Sequence, residues 1–175
     1  MSKMETLSLW QPWASLIAVG AKQIETRSWP ISYRGPLVIH AAKTFEAVHE
    51  AKRDLYGDNL NFPKNDPQCF ARRMLYAFSE SELFSPSFKF SDLPFGALVC
   101  VVDLIDCVPT ESIIDISDRE RAFGNFAPGR YAFKLANVRY FREPVPANGR
   151  QGIFKTAPPL HDLVYPSRGL GVVAE

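Results

Sequence analysis

The stretch GALVCVVDLIDCV, residues 96–108, decides the fold. It is almost continuously apolar, so it reads as a strand buried on both faces for much of its length and as the spine of the core. Asp103 and Asp106 interrupt it on opposite sides, which predicts a bend or bulge near its far end rather than an acidic pair on one face. Upstream, Thr6 to Trp10 reads as a short strand, and Leu37 to Ala41 as a compact apolar strand behind the Arg34-Gly35-Pro36 turn. Downstream, an acidic, helix-prone stretch from Pro109 to Phe123 precedes strands at Tyr131 to Leu135 and Val138 to Phe141, and a short one near Gln151 to Lys155. Several short strands separated by turn signals predict an α+β domain built on a small mixed β-barrel.

Helices flank these strands. Pro12 opens a helix through Trp13, Leu16, Ile17 and Val19 that stops at Gly20, since proline suits a helix start and glycine its end. Thr44 caps a second, running to about Tyr56. In a third, Ala71, Met74, Leu75 and Phe78 follow the spacing of a buried stripe. The pair reads as a helical insertion at about 44–92 within a single domain, 1–175, and Ser79 to Leu93 as an irregular connector packed by its aromatics.

At 175 residues, 46% hydrophobic and 22% charged, the chain is an ordinary globular domain, too apolar for disorder. Twenty Lys plus Arg against nineteen Asp plus Glu give a net charge of +1, so any nucleic-acid site is local rather than a bulk property. Cys69, Cys100 and Cys107 form no CxxC pair and have no histidine at ligand spacing, so neither a zinc site nor a disulfide framework is indicated, and no cofactor is implied. The N-terminus lacks the features of a signal peptide and no run is long enough for a membrane span; the expected home is the reducing cytoplasm.

The densest chemical signal is Gly20-Ala21-Lys22-Gln23-Ile24-Glu25-Thr26-Arg27, with Trp10, Gln11, Pro12 and Trp13 before it and Trp29 after it. On a strand from Ile24 to Trp29, Glu25, Arg27 and Trp29 share one face. Lys22 offers a point charge and Arg27 a planar fork for a phosphate or base edge, with Glu25 holding either one in place. On the other reading, Glu25 and Arg27 are an ordinary surface salt bridge and Lys22 is an exposed residue at a helix end. Trp10, Trp13 and Trp29 are either stacking platforms for bases or anchors of helix to barrel, and Trp13 falls to the core by its spacing to Leu16 and Ile17. Gln11 and Ser8 read a base edge or cap the helix start. His40 and Lys43 end a buried strand near Arg34, where they either rim the same cleft or, for His40, satisfy the structure. Arg130 with Tyr131, and Arg150 with Gln151, stand equally between cleft contacts and turn chemistry.

The G-x-K-x-x-E-x-R spacing, matched here by Gly20, Lys22, Glu25 and Arg27, resembles the ASCH domain family, whose fold is a PUA-like β-barrel. The resemblance covers about Leu7 to Ala42, Leu93 to Val108 and, more loosely, Tyr131 to Gly152, and leaves 44–92 outside. It implies a cleft that binds single-stranded RNA or a nucleotide, and the candidate ligand contacts for that cleft are Trp10, Gln11, Lys22, Glu25, Arg27, Trp29, Arg34, His40, Lys43, Arg130 and Gln151. Some family members resemble this chain and are amidohydrolases of acetylated cytidine with a Thr three residues after the Lys; here that position is Glu25. Others are linked to RNA cleavage, for which Lys22, Glu25 and Tyr131 are the candidate catalytic groups without a metal. A third possibility is a protein-docking module, which requires an exposed apolar stripe on the Ala71 to Phe78 helix.

Overall fold

The computed structural model describes residues 2–45, 70–84 and 87–165. The reading of a helix from Thr44 to Tyr56 therefore falls almost wholly outside the described residues. The elements run β1 (Met4–Leu9), α1 (Trp13–Ala18), β2 (Ile24–Arg27), β3 (Gly35–Ala41), α2 (Phe70–Ser79), β4 (Ala97–Pro109), α3 (Asp118–Ala122), β5 (Tyr131–Pro146), β6 (Ile153–Thr156) and β7 (Leu163–Val164). No helix among the described residues is long and apolar enough to cross a membrane.

The strands form one mixed sheet in the order β2-β5-β4-β3-β1-β6, with β7 pairing the far part of β5. β1 and β3 are parallel, placing Ser8 opposite His40; the other pairings are antiparallel. No ladder among the described strands joins β2 to β6, so the sheet is open and the expected closed barrel is not formed by backbone pairing. The sheet is nonetheless strongly curved. β2 and β1 stand four steps apart, about 19 Å in a flat sheet at about 4.8 Å per step, yet the Arg27 guanidinium donates to the Ser8 carbonyl at 2.8 Å.

The 96–108 stretch lies at the centre as β4, fully buried from Ala97 to Val102. Its inner face joins Leu7, Leu9, Leu37, Ile39, Phe133 and Leu135 in the main core. Three register shifts break its pairing with β5; two of them, ending at Asp103 and at Asp106, fall where the aspartates predict a bulge, and the one between Leu98 and Cys100 does not. The two strands expected from Tyr131 to Phe141 are a single 16-residue strand. Asn137, in the gap between the two expected strands, has φ 50° and forms the extra residue of a bulge: Asp103 opposes Ala136 while Val101 opposes Arg139. Asp103 fixes that bulge, accepting from Asn137 Nδ2 at 2.8 Å and pairing with Arg139.

α1 ends as expected, with Gly20 at φ 74°. On α2, Met74, Ala77 and Phe78 are buried against Leu16, Val19 and Phe123. Met74 and Phe78, two residues of the stripe that a docking module would expose, are thus covered by the domain's own core.

Candidate functional site

The turn after α1 carries the densest cluster. Lys22, read as a cation at a helix end, is among the largest fully buried side chains. Its Nζ donates to the carbonyls of Ile24 at 2.5 Å and Phe123 at 2.8 Å, and lies 3.4 Å from Glu25 Oε2. Glu25 Oε1 is 3.2 Å from Arg27 Nε, so one carboxylate joins both cations. The alternation along β2 puts Glu25 and Arg27 on one face, as the sequence requires, but the pair is buried at its acidic end rather than solvated.

Glu120 supplies the second support, and no motif in the sequence marks it. Ser117 caps α3 by accepting from the Glu120 N–H. The helix then aims the Glu120 carboxylate at the chain entering β2, where Oε2 accepts from Gln23 N at 2.9 Å and Oε1 from Ile24 N at 2.8 Å. Burial pushes its pKa up, against the opposing pull of Lys22 and the two amides.

Two adjoining clefts open beside this cluster and share Ser8, Trp10 and Arg27. The first, about 500 Å³, is lined also by Trp13, Glu25, Thr26, Phe123, Gly124 and Asn125. The second, about 690 Å³, adds Trp29, His40, Lys43 and the loop from Asn148 to Gly152. Both lie within the usual range of ligand clefts, about 300–1,000 Å³. Trp10 stands at their junction with 52% of its surface exposed.

His40 is buried, with Nδ1 2.8 Å from Ser8 Oγ and Nε2 3.1 Å from the Ala147 carbonyl. The carbonyl can only accept, so Nε2 carries the proton and the neutral ring takes the Ser8 hydroxyl at Nδ1. Burial lowers its pKa, the Ala147 carbonyl opposes this, and Lys43 adds to the lowering. The bond to Ala147 ties the 148–152 loop to β3.

The expected contacts thus divide. Trp10, Arg27, Trp29, His40, Lys43 and Gln151 line the clefts, and Glu25 lines the first. Lys22 does not reach either cleft surface. Gln11 is fully buried and structural: its amide donates to Ser15 Oγ and the Pro94 carbonyl and accepts from Ser15 N. Arg34 lies elsewhere, bonding the Ile31 and Tyr33 carbonyls and Asp106. Arg130 braces β2 from behind through the carbonyls of Thr26 and Asn125, and Tyr131 packs against the main core. Arg150, read as either a cleft contact or turn chemistry, lines the second cleft; Asn125, Asn148 and Gly149 are additions that sequence spacing could not place, because they arrive from distant loops.

The fold and this motif define a member of the ASCH domain family: the chain matches the ASCH domain over residues 7–145 and belongs to that family. Among curated proteins it is similar to activating signal cointegrator 1 of Mus musculus and of Homo sapiens, each 28% identical over 165 residues that cover 89% of this chain. The chain spans 22% of the length of each of these relatives.

Proposed function

We propose that the chain binds single-stranded RNA or a nucleotide in the double cleft around Trp10 and Arg27. The observation that carries this is the placement of Trp10: a half-exposed indole, at the junction of two clefts, beside a guanidinium held in place by Glu25 and the Ser8 carbonyl. An aromatic face next to a fixed cation is the pairing that single-strand sites use, stacking a base on one and neutralising the backbone with the other. Family membership supports the same reading, and the curved open sheet suits the partial barrel of a PUA-like fold. Binding is favoured over catalysis because Lys22, the candidate acid or phosphorane stabiliser, spends its protons on two carbonyls and Glu25. The three cysteines are consistent with a reducing compartment, and we place the protein in the cytoplasm.

The test is titration of labelled short RNA into wild type and Trp10→Ala at two salt concentrations, with product analysis of the same samples. The expected result is salt-sensitive binding, weakened in the variant by the roughly 1–3 kcal/mol that a stacked base contributes. Cleaved RNA, or acetate released from acetylcytidine added in a parallel sample, would make the site a hydrolase; absence of binding by wild type would overturn the reading.

A further inference from the structure

The two clefts differ in charge. The second is lined by Arg27, Lys43 and Arg150, with no carboxylate among its lining residues. Lys43 and Arg150 are exposed, and neither forms an ion pair among the described residues, so their charge is presented to whatever enters. The first cleft has Glu25 and Arg27 as its charged walls, already paired with each other, and the Asn125 amide beside them. Arg27 and Trp10 stand on the border.

The basic wall is built into the fold. His40 holds the 148–152 loop through Ala147, and Lys43 Nζ reaches Asn148 Oδ1 at 3.4 Å across the opening. At Gly149 the backbone approaches so closely that a Cβ would lie 2.5 Å from His40 Cε1 and 2.8 Å from Ser8 Oγ. Arg150 follows directly from that contact, so its backbone position is set by the packing of its neighbour.

Resting on the reading above, we propose that the groove is divided by charge, with the phosphate of a nucleotide unit held between Lys43 and Arg150 and its base lodged in the cleft walled by Glu25 and Asn125. A phosphate in the opposite orientation would sit against a carboxylate, which repels it, whereas a base edge can donate its N–H groups to Glu25 and exchange hydrogen bonds with Asn125. The indole of Trp10, between the two, is placed to stack on the base as it enters. The ligand class is accordingly a nucleoside monophosphate or the corresponding unit of a single strand, rather than a free nucleoside.

The test is titration of the four nucleosides, their 5′-monophosphates and inorganic phosphate, read by amide chemical shifts and calorimetry, with wild type and the Lys43→Ala/Arg150→Ala double variant. Both replaced side chains are exposed, so the fold is retained. Monophosphates are expected to bind at least tenfold more tightly than nucleosides at low salt, the advantage disappearing in the double variant while nucleoside affinity stays the same. Inorganic phosphate should move the amides of 148–151, and nucleosides those of 124–125. RNA binding with an undiminished phosphate advantage in the double variant would overturn the division and leave the RNA reading standing. No binding of RNA or nucleotide by wild type would overturn both.

Discussion

Lys22 and Glu25 meet at 3.4 Å with the lysine side chain wholly shielded from water, although the motif that contains them reads as a surface cluster. The consequence is that the most conspicuous cation of the sequence is a fastening between the α1 turn, β2 and the Phe123 carbonyl. Lys22→Ala would leave Glu25 short of one of its two counter-ions and take the donor from two carbonyls. A loss of about 3–5 kcal/mol is expected, the range for breaking a buried pair by removing one partner. Denaturant unfolding checks it, and a loss below about 1 kcal/mol would mean that the lysine is not the fastening described. Lost RNA binding in this variant would therefore report unfolding before it reported a missing contact.

Glu120 performs a parallel task with two backbone amides. Glu120→Ala orphans the Gln23 and Ile24 N–H groups, at about 1–3 kcal/mol for each donor left unpaired and buried. Glu120→Gln keeps one acceptor oxygen and should lose roughly half as much. Equal stability of the two variants in urea would show that the amides find water instead.

How much of this was legible in the sequence follows from distance along the chain. The central strand, the helix stop at Gly20 and the shared face of Glu25 and Arg27 are local consequences of periodicity and backbone preference. They are found where the residues put them. The burial of Lys22 is not local, since one of the two carbonyls that accept from it belongs to Phe123, and the same is true of Glu120, which reaches back to Gln23. The continuity of β5 across residues 136 and 137 is hidden for a different reason: an asparagine such as Asn137 favours left-handed backbone equally in a turn that ends a strand and in a bulge that continues one. Arg34 and Arg130 carry the right charge near the right motif in sequence, but the topology directs them away from the clefts.

His40 makes stability depend on pH in a stated direction. Its folded pKa lies below the usual value of 6.5 because burial and Lys43 disfavour the imidazolium. The unfolded chain therefore binds this proton more readily, so the His40 contribution is full above about pH 6.5 and drains away as the pH falls through the folded value. Glu120, with a raised pKa, acts in the opposite sense above about pH 4.5. Urea midpoints for wild type and His40→Gln isolate the histidine: wild type should lose more stability than the variant between pH 7.5 and pH 5.5. A variant that falls as steeply as wild type would remove His40 as the cause.

Gly149 and Gly152 occupy the same loop and need to be glycine for different reasons, which substitution can separate. Gly152 has φ 69° and nothing within 4 Å of an added Cβ, so alanine there is strained by backbone conformation alone, at about 1 kcal/mol or more. Asparagine, which tolerates left-handed backbone, should recover most of that loss. Gly149 has no such conformation; its constraint is the 2.5 Å approach to His40. His40 is pinned between Ser8 and Ala147 and cannot yield, so Gly149→Ala must move the loop, at about 1–3 kcal/mol for overpacking. Gly149→Asn, being larger, should be at least as damaging. The displaced loop carries Arg150 with it, so Gly149→Ala should also weaken nucleotide monophosphate binding while Gly152→Asn leaves it close to wild type. Rescue by asparagine at both positions would show that the close packing of Gly149 on His40 does not hold the loop.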